Sequence, residues 1–161
     1  MEELFMLSIQ ISDIKDFMSH LLSKDTFDHF YFIEASIKMG VSYQIQGRIN
    51  EGFYDTSVEQ TLNREFCYWK EIRHRIFDII KGKRLPLSCK IVLGLSKQSI
   101  SYLIAHNNSS FREEDIEGIY VNILYDPKNL LITTGISYKN FSLDKSLEYA
   151  FDEYLVKFLK E

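Results

Sequence analysis

The sequence predicts an α+β fold, an antiparallel sheet covered by helices and built as an internal duplication of a β-α-β-β-α unit. Three observations carry this. Alternation of apolar and polar residues, or enrichment in β-branched and aromatic residues, marks six short stretches as strands. Apolar stripes at helical spacing mark four others. The two kinds follow one another in the same order in each half of the chain.

Taken in order, Leu7, Ile9 and Ile11 alternate with Ser8 and Gln10 as a short strand. Ser12 caps a helix whose apolar side holds Ile14, Phe17, Met18, Leu21 and Leu22. After a loop, 24–28, the run from His29 to Ile49 reads as two strands joined by a tight turn at Met39-Gly40. A polar link, 50–61, leads to a central helix. Cys89, Ile91, Leu93 and Leu95 alternate as a strand, and Ser96 caps a short helix through His106. Past a polar loop, 107–114, a hairpin pairs 117–125 with 130–138 around Asp126-Pro127-Lys128-Asn129. Ser142 caps a last helix carrying Leu143, Leu147, Ala150, Phe151, Tyr154, Leu155 and Phe158. The expected repeats cover about 4–84 and 87–161 within one domain, 1–161; Leu7-Ile9-Ile11-Ser12 lines up with Ile91-Leu93-Leu95-Ser96, and Gly47 to Phe53 with Gly135 to Phe141. A ferredoxin-like β-α-β-β-α-β core with an added α-β-β-α tail fits the same string.

A chain of 161 residues can bury about two thirds of its unfolded surface, so no second domain is needed. Its formal net charge is −4, which disfavours nonspecific nucleic-acid binding by the whole surface. The 12 Phe, 10 Tyr and one Trp form a Phe-rich core with Tyr at its edges, or in part line a groove or an oligomer interface. The opening MEELFMLSIQIS lacks the basic residues of a signal peptide, and no run of 18 apolar residues occurs. The expected setting is therefore cytoplasmic, without a membrane, with Cys67 and Cys89 as reduced thiols.

The central stretch, FCYWKEIRHRIFDIIKGKRLPLSCK, is the chemically distinctive one. From Lys70 to Lys90 it carries seven basic against two acidic residues, a balance of +5 that leaves the rest of the chain at −9. At about 100° per residue, Trp69, Ile72, Ile76, Ile79 and Ile80 share one helix side, with Phe66 and Phe77 widening it. Arg73 projects into this apolar arc, where a lone guanidinium is costly. It must snorkel, pair with a carboxylate or hold an anionic ligand. Gly82 and Pro86 end the helix near Lys81. Lys70, Arg73, Lys81, Lys83, Arg84 and Lys90 are the candidate anion-binding residues, with Tyr54 or Tyr68 for stacking. A solvated basic helix end complementing the helix dipole explains the same cluster without a ligand.

Other chemistry finds less support. Cys67 and His74 share a face but lie about 10 Å apart along a helix, too far for a nucleophile and base pair. Asp25, Asp28, His29 and Glu34 are the densest metal-like group, yet His29 and Glu34 would point to opposite faces of one strand. No catalytic residue, metal site or cofactor is expected.

Residue by residue, Thr26-Phe27-Asp28-His29-Phe30, Phe53-Tyr54-Asp55-Thr56, Trp69-Lys70-Glu71-Ile72-Arg73, Lys81-Gly82-Lys83-Arg84, Ser110-Phe111-Arg112 and Leu143-Asp144-Lys145-Ser146-Leu147-Glu148 resemble a family of small bacterial proteins with no assigned function. The resemblance spans nearly the whole chain and implies no activity. The expectation from the residues is a non-enzymatic binding or interaction protein whose basic segment contacts a protein partner or a second copy. The alternatives are nucleic-acid binding through 70–90, and an enzyme acting on a phosphorylated small molecule with Arg73 as anion clamp.

Overall fold

The computed structural model describes residues 8–54, 64–107 and 109–160. Its strands and helices are β1 (Ser8–Gln10), α1 (Ile14–Leu22), β2 (Tyr31–Lys38), β3 (Ser42–Gln46), α2 (Trp69–Ile80), β4 (Ser88–Gly94), α3 (Lys97–His106), β5 (Ile116–Tyr125), β6 (Leu130–Tyr138) and α4 (Ser146–Lys160). Short 3₁₀ turns lie at Glu51–Phe53 and Glu113–Asp115. The Leu7 end of the first expected strand and most of the polar link fall outside the described residues.

All six strands join one antiparallel sheet in the order β1-β6-β5-β4-β2-β3. Side chains alternate across it. Ala35 and Ile37 of β2, Ile91 and Leu93 of β4, and Ile119, Val121 and Ile123 of β5 are buried in one core with the apolar stripes of all four helices. Lys90 and Ser36, which alternate with those residues, are exposed on the opposite face. Trp69 is the anchor of α2: it is fully buried against Phe32, and its indole N–H donates to the Leu21 carbonyl at 2.8 Å. Burying so large a ring while satisfying its one polar atom ties α2 to both α1 and β2.

Several boundaries move, each for a local reason. Asp13, not Ser12, caps α1, its carboxylate accepting from the Asp16 N–H at 3.0 Å. The central helix begins at Trp69 and not at Phe66, because residues 66–68 are held as extended chain: Phe32 N–H donates to the Cys67 carbonyl and Cys67 N–H to that of Gly47. The last helix begins at Ser146. Ser142 and Asp144 instead bond the N–H groups two residues on, a turn geometry that leaves Leu143 exposed. Ser96 caps α3 as expected, through the Ser99 N–H, and Asp126 closes the β5-β6 turn by accepting from Lys128 and Asn129.

The order of elements is the predicted β-α-β-β-α twice over, but of the strand pairing only the hairpins β2-β3 and β5-β6 repeat, and the duplication is not confirmed. β4 sits inside the sheet between β5 and β2, whereas its would-be counterpart β1 pairs with β6 at the edge. The aligned glycines differ as well. A Cβ on Gly47 would fall 1.8 Å from the Phe32 carbonyl oxygen, while one on Gly135 would meet nothing within 4 Å. A ferredoxin-like core fails for the same reason as the repeat, since it requires β1 to pair within the first four strands.

Candidate functional site

The basic segment begins on α2, and the way α2 starts decides what its arginine meets. The first N–H groups of the helix dock onto the preceding loop: Trp69 N–H donates to the Phe30 carbonyl at 2.8 Å and Lys70 N–H to that of Asp28 at 3.4 Å. One turn on, Arg73 therefore lies beside Asp28. Its Nε donates to Oδ1 at 2.8 Å, its Nη2 to Oδ2 at 3.1 Å, and Nη1 reaches the Leu22 carbonyl at 3.5 Å. The two side chains are only 11% and 13% exposed. The guanidinium is thus paired internally, as one of the three options for Arg73 required.

The other candidates do not converge. Lys70, at the start of α2, has its ammonium 5.6 Å from the Tyr68 ring, which the Arg64 guanidinium also covers at 4.5 Å. Arg64 in turn pairs with Glu71, whose carboxyl is held below its ordinary value by hydrogen bonding to Arg64 and lies 2.6 Å from the Tyr68 N–H. Lys81 is about 16 Å along the axis from Lys70 and pairs with Asp78 at 3.0 Å. Lys90 stands on the sheet face away from the core.

Lys83 and Arg84 do lie together, in the turn that joins α2 to β4. Gly82 opens it with a φ of +146°, a region L residues rarely adopt. Pro86 is buried, and the Leu87 N–H donates to the Lys38 carbonyl at 2.8 Å, fixing the turn beside the β2-β3 hairpin. Between these anchors Lys83 and Arg84 are exposed and make no ion pair among the described residues, and Leu85 and Leu87 are 66% and 70% exposed. The sequence pointed to the cations; that two leucines would stand in solvent beside them depends on which side of the turn the proline anchors.

At the other end of the sheet lies a cleft of about 530 Å³ that no local motif announced, because its lining comes from several separate segments. Tyr31, Ile33, Ile100 and Ile119 form apolar wall, and Glu65, Glu113, Glu114, Glu117, Lys97 and Lys139 supply the charge. The phenol of Tyr120 lies against Gly118, where a Cβ would sit 2.2 Å from its oxygen, so a larger residue there would displace the ring. Tyr31 is buried with its phenol raised above its ordinary value by that burial, and packs tilted against the Tyr68 ring with centroids 5.3 Å apart.

Neither thiol is activated: burial pushes Cys67 up to about 11 and Cys89 up to about 12. Among the described residues no three histidines, cysteines or carboxylates come close enough to hold a metal ion, and no helix is long and apolar enough to cross a membrane.

These features define an α+β protein with a six-stranded antiparallel sheet, an exposed basic-aliphatic turn at one end and a cleft at the other. The chain belongs to a family of unknown function (DUF5721), whose model matches residues 20–161. No curated protein and no solved structure matches it.

Proposed function

We propose that this is a cytoplasmic, single-domain, non-enzymatic interaction protein, and that the 81–87 turn is its contact surface, docking on a second copy or on another protein. The observation that carries this reading is the exposure of Leu85 and Leu87 beside Lys83 and Arg84, which make no ion pair among the described residues. Exposing two neighbouring leucines on an anchored turn is unfavourable in isolation, and an apolar pair flanked by cations suits a partner patch that is apolar at its centre and acidic at its edge. Nucleic-acid binding is less well supported: Lys81, beside Lys83 and Arg84 in the chain, pairs with Asp78, Arg73 pairs with Asp28, and the Tyr68 ring is already covered by Arg64. An enzyme acting on a phosphorylated molecule loses its motivating group with Arg73 sealed against Asp28.

The test is sedimentation across a concentration series for the wild-type chain and for Leu85→Ser/Leu87→Ser. The self-association reading expects a mass that rises with concentration and a monomeric variant. A wild-type chain that stays monomeric into the high-micromolar range removes self-association, and chemical-shift mapping with a candidate partner protein then decides whether the turn binds elsewhere. Binding to DNA or RNA that weakens steeply with salt, and less steeply in Lys83→Ala/Arg84→Ala, would overturn the protein-partner reading in favour of phosphate contacts.

A further inference from the structure

The cleft at the far end of the sheet has charges of both signs that remain uncommitted to one another. Glu65 is already balanced by Arg48, and Glu114 stands 4.0 Å from Arg112. Glu113 accepts from the Ser101 hydroxyl and Glu117 from the Ser137 hydroxyl, neither from a cation. Lys97 and Lys139 share the rim with them, yet no ion pair within 4.0 Å joins any of these four among the described residues. Two ammoniums and two carboxylates thus share, without pairing within 4.0 Å, a mouth whose inner wall is Tyr31, Ile33, Ile100 and Ile119.

We propose that this cleft binds a free apolar α-amino acid, aromatic or branched, independently of the 81–87 turn. Such a ligand carries a carboxylate and an ammonium on one carbon and an apolar side chain on the same carbon, which is the charge and polarity pattern of the rim and wall. Its carboxylate goes to Lys97 and Lys139. Lys97 is the first residue of α3. Its ammonium goes to Glu113 and Glu117. Its side chain enters among the isoleucines and Tyr31. A volume of about 530 Å³ is within the ~300–1,000 Å³ range of small-molecule sites. A purely cationic or purely anionic ligand leaves one pair of rim charges facing the wrong sign or facing nothing.

The experiment is titration of the full chain with L-phenylalanine, phenethylamine, 3-phenylpropionate and phenethyl alcohol, followed by calorimetry and amide chemical shifts. L-phenylalanine is expected to bind and to shift the amides of β5 and the start of α3, with phenethylamine and 3-phenylpropionate at least tenfold weaker. Lys97→Gln/Lys139→Gln should bring L-phenylalanine down to the affinity of phenethylamine, and Glu113→Gln/Glu117→Gln to that of 3-phenylpropionate. All four residues are exposed, so these variants should keep the wild-type melting curve. The proposal fails if L-phenylalanine does not bind at millimolar concentration, if all four probes bind alike, or if binding persists unchanged in both double variants. A single preferred charge, with phenethylamine or 3-phenylpropionate matching L-phenylalanine, also overturns it, since the zwitterion is then not what the rim reads.

Discussion

Arg73 and Asp28, 45 residues apart in sequence, make a two-point ion pair nearly sealed from solvent between α2 and the loop before β2. Removing one partner of such a pair leaves a buried charge uncompensated. Arg73→Met or Asp28→Leu alone should cost about 3–5 kcal/mol in denaturant unfolding, and the double replacement should recover much of that loss. Equal stability for Arg73→Met and wild type would mean that the guanidinium has no structural duty and is free for a ligand.

Gly47 and Gly135 occupy matching positions in the expected repeat but opposite situations in the fold. Gly47→Ala drives a methyl into the Phe32 carbonyl and should cost about 1–3 kcal/mol or more by displacing backbone. Gly135→Ala meets open space and should stay within about 0.5 kcal/mol of wild type. Thermal melts of the two variants check the contrast directly.

Glu148 is a buried carboxyl on α4. Burial raises it above its ordinary value of 4.5, Asp152 and Asp144 add to the rise, and Lys145 and Tyr138 oppose it. A carboxyl whose folded value is raised contributes stability that is complete below its unfolded value and is lost as pH rises through the folded one. Glu148→Gln should therefore gain stability over wild type as pH rises toward 7, with the gain vanishing below about pH 4. Urea midpoints measured from pH 3 to pH 8 should show the two curves converging on the acid side; a gain that does not depend on pH would refute the assignment.

Cys67 and Cys89, raised by burial to about 11 and 12, hold almost no thiolate at neutral pH. Ellman's reagent at pH 8 should label the native chain far more slowly than the same chain in urea, where both thiols react. Fast native labelling of Cys67 would reveal an opened segment at 66–68.

A large part of the local structure was legible along the chain. Alternation located the strands, helical spacing located the four helices, and Ser96 and the Asp126 turn were readable because a cap or a tight turn needs only its own few residues. Boundaries at Asp13, Trp69 and Ser146 were missed where a neighbouring carboxylate or a backbone bridge outcompeted the local signal. The fate of Arg73 was legible as a set of options, since its place in an apolar arc demands a partner, but Asp28 could not be singled out until the first turn of α2 was seen to dock on residues 28–30.

By itself the sequence determined the α+β class, the order of ten regular elements, the basic excess of 70–90 and the need to compensate Arg73, because each depends on spacing within one element or on charge count. The tertiary structure decided that β1 pairs with β6 and not as its counterpart β4 does, that Arg73 is sealed against Asp28 and Lys90 stands on the outer sheet face while Lys83 and Arg84 stay with two exposed leucines, and that remote segments enclose a cleft with both signs of charge. Strand pairing and cleft lining are set by contacts between segments far apart in the chain, and such contacts leave no period in the sequence to read.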